Sequence, residues 1–217
     1  MNLDPKKLLI SARYYATLPF RKAAMTTLCK DGMAPMMILF YHRVADDSPN
    51  DWTISNSLFK RQIDWARSRF EMVSLAEVQR RMHRGKNVRP TVSVTFDDGY
   101  QENCDQALPY LIEHNIPTTY FVTLDNIERN QPFPHDVKAG YPLCPNTPAQ
   151  IRQLAVAGID IGAHTRSHPD LGKIHDLAEL RKEIVEPKQA LEAMIETPVN
   201  YFAFPFGKQE NMHTTAV

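Results

Sequence analysis

Thr91-Val92-Ser93-Val94-Thr95-Phe96-Asp97-Asp98-Gly99 is the stretch on which the fold turns. Its first six residues are mostly β-branched and read as a strand, which Asp-Asp-Gly stops. Working outward, strand-like and helix-like segments alternate. Upstream, 36–41 is a continuous apolar run, the pattern of a strand buried on both faces. Phe59, Ile63, Ala66 and Phe70 share one helical face, and Ser74 with Glu77 opens a second helix that Gly85 closes. Downstream, 103–114 reads as a helix kinked at Pro109 and 118–123 as a strand. Thr147-Pro148 opens a helix that ends at Gly158, and 159–162 is a short strand. A long helix over 176–196 is interrupted at Pro187, and 201–204 is the last strand. Residues 125–147 are Pro-rich and aperiodic, the mark of a surface excursion near the active face. The alternation implies parallel β/α units, compatible with an open doubly wound sheet or a barrel.

Composition narrows the function. The chain has 217 residues, with 25 Lys+Arg against 25 Asp+Glu, so no basic excess supports sequence-independent nucleic-acid binding. The 43% apolar content supports a core, and the length suits one domain with a short appendage. Cys29, Cys104 and Cys144 form no CxxC pair, which speaks against a disulfide framework or a thiolate zinc site and points mildly to a reducing compartment. The longest apolar run, 34–41, is far short of the roughly 20 residues of a membrane span. Lys6 and Lys7 could start a signal peptide, but Arg13 breaks the apolar stretch and no small-residue cleavage site follows. The expected location is therefore cytoplasmic or membrane-peripheral. Residues 1–33 read as a basic helical extension, with Leu8, Leu9, Ala12, Tyr15 and Ala16 near one face. Such a helix can lie on an anionic membrane, cap a barrel end or fray as a tail. Residues 34–217 read as the main domain.

In parallel β/α folds, chemistry belongs at the C-terminal ends of strands. That rule selects His42, Asp97, Asp98, His164, His168, Pro205, Phe206 and Gly207, which follow four different predicted strands. Two adjacent carboxylates ionise together in a partly buried place only if a cation offsets their repulsion. A divalent metal does so, binding one and leaving the other as a general base. The plainer reading of Asp97-Asp98-Gly99 is a turn. His164 and His168, four apart, can aim two imidazoles at one ion, with Gly162 and Ala163 allowing close backbone approach. A lone histidine such as His42 is more often structural. The pair His135-Asp136 reads as surface or as the lining of a substrate groove, and Trp52 and Trp65 as packing rather than sugar platforms.

Three of these segments resemble the signatures of the polysaccharide deacetylases, the chitooligosaccharide deacetylase homology domain. Thr95-Phe96-Asp97-Asp98-Gly99-Tyr100 resembles the first, His164-Thr165-Arg166-Ser167-His168 the second, and Ala203-Phe204-Pro205-Phe206-Gly207 a variant of the third. The resemblance spans about 36–210. It implies a distorted (β/α) barrel of about seven strands and a hydrolase that removes N-acetyl groups from amino sugars of a polysaccharide, through metal-activated water. It further implies a divalent metal, commonly zinc, held by Asp98, His164 and His168. Asp97 would be the base, and a backbone N–H at Phe206, after Pro205, would steady the oxyanion. The substrate would be an N-acetylated polysaccharide or oligosaccharide, and such work usually lies at the cell envelope.

Two departures from that pattern stand out. The family's arginine in the third signature falls on Ala203, so another residue, Arg166 being one candidate, must orient Asp97 or leave it less constrained. The late L-x-H segment that supplies the acid is absent, which suggests a barrel incomplete at its C-terminus. Leu39-Phe40-Tyr41-His42 resembles an N-terminal segment of a branch of exopolysaccharide de-N-acetylases with permuted signatures, which makes His42 the acid. The alternative is a catalytically impaired, polysaccharide-binding version of the same fold. An aspartyl-phosphate phosphatase is disfavoured, because its two aspartates would be two apart rather than adjacent.

Overall fold

The computed structural model describes residues 5–213, so 1–4 of the expected extension and 214–217 of the expected domain lie outside the described residues. In chain order the elements are α1 (Pro5–Lys30), β1 (Met36–Tyr41), β2 (Arg43–Val44), β3 (Thr53–Ile54), α2 (Asn56–Arg67), β4 (Glu71–Met72), α3 (Leu75–His83) and β5 (Thr91–Phe96). There follow α4 (Ala107–Glu113), β6 (Thr118–Val122), α5 (Leu124–Arg129), α6 (Pro134–Lys138), α7 (Pro148–Val156), β7 (Asp160–Ala163) and α8 (Leu177–Ile195).

Strand β5 is the axis of the sheet, and all six of its residues are buried. β1 runs parallel along one side of it, from Met36 opposite Thr91 to Tyr41 opposite Phe96. β4 pairs with its first residues and β6 with its last, and β7 continues beyond β6, all parallel. A further parallel bridge joins Ala163 to Phe202. Among the described residues the sheet does not close, which agrees with an incomplete (β/α) barrel. Helices cover it as parallel strands require. Phe59 and Ile63 of α2, Leu108 and Leu111 of α4, Ile151 of α7 and Leu191 of α8 share one core with Val94, Phe96, Tyr120 and Ile161.

Several elements differ from their sequence patterns for identifiable reasons. β1 is covered on one face only: Ile38 and Phe40, which share the other face, are 50% and 62% exposed. The expected kinked helix over 103–114 is a 3-10 turn, Gln101–Cys104, and then a fresh helix from Ala107. Pro109 thus sits in the first turn of α4, where a missing N–H costs no helical bond. β2, β3 and β4 have two residues each, too short to show a period. The expected last strand at 201–204 is only the bridge at Phe202. The excursion over 125–147 carries nearly all of α5 and the whole of α6, and Phe133 and Leu143 bury against Tyr100.

The long helix α8 runs unbroken through Pro187. Proline there removes the N–H that would bond the carbonyl four residues earlier, that of Glu183. The backbone N–H of Arg166 donates to that carbonyl instead, at 3.1 Å. The interruption expected at Pro187 is therefore a docking point, with the lost bond replaced from outside the helix. Among the described residues, no helix is long and apolar enough to cross a membrane.

Candidate functional site

Three strand ends converge. β5 ends at Phe96 and delivers Asp97 and Asp98, while β7 ends at Ala163 and delivers His164. The backbone N–H of His164 donates to the Val122 carbonyl of β6 at 3.0 Å, which holds the second loop beside the first. Gly162 lets β7 approach β6 closely, since a Cβ there would lie 2.4 Å from the Phe121 ring. The backbone then turns sharply. Asp98, Thr165, His168 and Phe206 all have positive φ, between 60° and 75°. This region is uncommon for non-glycine residues and strained for a β-branched one such as Thr165, and strain of this kind gathers where function demands a fixed geometry.

The turns bring Asp98, His164 and His168 together, each offering one ligand atom, all within 4.8 Å of one another. His164 Nε2 lies 3.5 Å and His168 Nε2 3.3 Å from the same Asp98 oxygen, Oδ1. That oxygen is buried and makes no well-directed hydrogen bond. His164 Nδ1 lies 2.9 Å from the Ala203 carbonyl. A carbonyl only accepts, so Nδ1 carries the hydrogen and Nε2 points inward with its lone pair when the ring is neutral. A backbone carbonyl behind the imidazole is the usual partner of a metal-ligating histidine. The orphaned carboxylate oxygen and the facing imidazole nitrogens call for a cation between them. One carboxylate with two imidazoles is a donor set that suits a divalent ion.

Electrostatics separate the two aspartates. Burial pushes the Asp98 carboxyl up, but the facing His164 and His168 outweigh it and hold it well below the usual carboxylate range. The Asp97 carboxyl is raised, because burial dominates and Asp98 adds repulsion against the opposing pull of His164 and His42. Burial would lower His164, yet Asp98 and Asp97 raise it. Among the described residues no hydrogen bond holds the Asp97 carboxylate, while its backbone N–H donates to the Tyr41 carbonyl at 2.9 Å.

The remaining expected residues fall around this cluster. His42 follows β1, next to β5, and its ring stacks on Trp52 with centroids 4.7 Å apart. The buried Asn103 holds the backbone just after that ring, around Arg43, donating to the His42 carbonyl at 2.7 Å and accepting from Val44 N–H at 2.9 Å. Pro205 is buried, and the Phe206 ring meets His168 edge-on with centroids 5.1 Å apart. Trp52 is 55% exposed, so its reading as packing is corrected: it lies on a loop with its ring against His42. Trp65 is also a surface ring, beside Phe70 and Arg69.

Arg166 does not serve Asp97. Its guanidinium lies 3.2 Å from Asp125 Oδ1, with the Lys182 carbonyl at 3.3 Å and Glu186 at 3.7 Å. Asp136 is no groove residue but a buried anchor, accepting from the Tyr100 hydroxyl at 2.8 Å and from Asn50 at 2.9 Å. Through it the excursion is fixed to the loop after β5, and Phe133 is brought edge-on to His168 with centroids 5.8 Å apart.

The sequence pattern gave no sign of Glu183. Its carboxylate accepts from Ser167 N–H at 2.9 Å and the Ser167 hydroxyl at 2.8 Å, and at 3.0 Å it shares the Arg166 N–H with its own carbonyl. Together with the carbonyl freed by Pro187, this residue of α8 holds the loop between the two histidines. The available signal was Pro187 itself, four residues downstream. Glu183→Ala is expected to weaken divalent-ion affinity about 10- to 100-fold, the range for groups that orient ligands. Metal titration checks this, with Glu183→Gln restoring part of the loss; unchanged affinity would remove Glu183 from this role.

Comparison with known proteins matches this architecture. The family model for polysaccharide deacetylase aligns with residues 84–217. A peptidoglycan-N-acetylglucosamine deacetylase of Bacillus cereus is 30% identical over 118 residues, 54% of this chain and 36% of the relative. A chitooligosaccharide deacetylase of Bradyrhizobium is 27% identical over 124 residues, 57% of this chain and 48% of the relative. The chain thus spans less than half the length of these two curated relatives. The structure of deacetylase PplD of Streptococcus pyogenes, in complex with acetate, shares the fold with a TM-score of 0.67 at 21% identity, over 83% of this chain and 76% of that one. With three strand-end loops in place and the family pattern running over more than half of its length, the chain belongs to the polysaccharide deacetylase family.

Proposed function

We propose that the chain is a metal-dependent hydrolase that removes N-acetyl groups from amino sugars of a polysaccharide. One observation carries this reading: Asp98, His164 and His168 converge within 4.8 Å, with a second carboxylate, Asp97, directly adjacent in the chain. Those three residues would hold a divalent ion, with zinc favoured by the donors. Such an ion polarises an acyl oxygen and makes a nearby water acidic.

Asp97 accepts the proton that the attacking water loses. The water oxygen bonds to the acetamide carbon, and the Phe206 backbone N–H, in the turn after Pro205, donates to the oxygen on which charge collects. His42 gives a proton to the nitrogen as the C–N bond breaks, leaving acetate and a free amino sugar. Its place at the neighbouring strand end supports that role, since the Asp97 N–H bonds the carbonyl of Tyr41, the residue just before it. The polymeric substrate class is supported by the activities named for the two relatives and by the exposed Trp52 ring, which offers a flat apolar face beside His42. A binding-only version of the fold would have no use for Asp97 beside a complete ligand set.

The test is acetate release from an N-acetylglucosamine oligomer by the full chain. Release is expected, along with its loss under a chelator and recovery on adding zinc. Release that persists after the chelator has stripped all metal would overturn the metal-dependent reading.

A further inference from the structure

Helix α1 stands apart from the chemistry. Its 26 residues carry six Lys/Arg and no Asp or Glu. At 3.6 residues per turn, Leu8, Leu9, Ala12, Tyr15, Ala16 and Phe20 fall within one sector of about 140°. All six are exposed, Leu9 at 73% and Phe20 at 77%. Arg13 lies just outside one edge of that sector and Lys22 just outside the other, and neither makes an ion pair among the described residues. Ile10 and Tyr14 are exposed outside the sector, so the stripe is the denser part of an apolar surface rather than all of it. Exposed apolar side chains gathered between cations mark an interaction surface.

We propose that α1 lies in the plane of an anionic lipid surface. The stripe would enter the boundary between headgroups and acyl chains. Arg13 and Lys22, on its two flanks, would extend their charged ends up to the lipid phosphates while their stems stay among apolar groups. Charge selects this occupant over a second copy of the chain, because two α1 helices side by side would oppose six cations to six. Spanning is excluded, since α1 is not apolar enough to cross a membrane. The proposal is independent of the hydrolase reading, because α1 contributes no residue to the site.

The experiment is sedimentation of the full chain with vesicles of phosphatidylcholine alone or mixed with phosphatidylglycerol. Binding is expected to the mixed vesicles, to weaken with added salt, and to be negligible on phosphatidylcholine. Each cation near an anionic surface strengthens partitioning about fivefold, so Arg13→Glu with Lys22→Glu should weaken it at least ~25-fold. Leu9→Ser with Phe20→Ser should release the chain as well, which separates insertion from simple charge attraction. Unchanged circular dichroism and thermal unfolding would show that these variants remain folded. Three results would each overturn the proposal: no binding to the mixed vesicles, equal binding to both vesicle types, or charge-reversal variants that bind like the parent. So would a lipid-independent dimer that the apolar substitutions dissolve, since that would give the stripe to a second copy.

Discussion

Asp97→Asn is expected to lower acetate release by about a hundred- to ten-thousandfold, the range for loss of a positioned general base. The substitution keeps side-chain size and leaves the backbone bond to the Tyr41 carbonyl intact. It removes the carboxylate that directly precedes Asp98 in the chain. Metal content should stay at the parental level, because the three proposed ligand atoms belong to Asp98, His164 and His168. The pairing of those two results is diagnostic. Lost turnover with retained metal assigns Asp97 to proton transfer. Near-parental turnover would show that another group takes the proton, and the proposed mechanism would fail.

His168→Ala is expected to abolish both metal binding and turnover. One of three ligands disappears, so affinity should fall by more than the roughly 100-fold attached to outer partners of a metal site. His168 already sits at a positive φ, so alanine there adds little backbone strain. Thermal unfolding of the variant should therefore still be cooperative. A titration showing metal bound as tightly as in the parent would contradict the ligand assignment, whatever the activity did.

Much of this molecule could be read from its residues, and what was hidden has physical causes. Thr91–Phe96 was legible because four of its six residues are β-branched, although Ser93 is buried there too. Asp97, Asp98, His164 and His168 were legible because chemistry narrows which residue types can sit together at strand ends. β1 misled because a continuous apolar run does not show which face lacks a covering layer, and here the face of Ile38 and Phe40 is open. Arg166 misled because sequence adjacency to His164 says nothing of direction, and its side chain meets Asp125 instead. Ala203 looked like a deficit, yet its carbonyl, which any residue would supply, partners His164. Trp52 and Asp136 were exchanged in kind, the apolar ring exposed and the carboxylate buried, because long-range partners outweigh residue preference.

Pro187 links the stability of one element to the precision of another. Pro187→Ala would return an amide hydrogen to α8, and Glu183 would then have a choice of donors for a single carbonyl. The helix should gain on heating, since proline is the poorest residue for a helix interior. The loop carrying Ser167 and His168 would lose part of its tether. A higher melting temperature accompanied by weaker zinc retention is the expected signature, and a gain in both would show that the tether is dispensable. Here a residue that weakens its own helix makes that helix useful to its neighbour, so a stabilised variant is the one to check first for diminished activity.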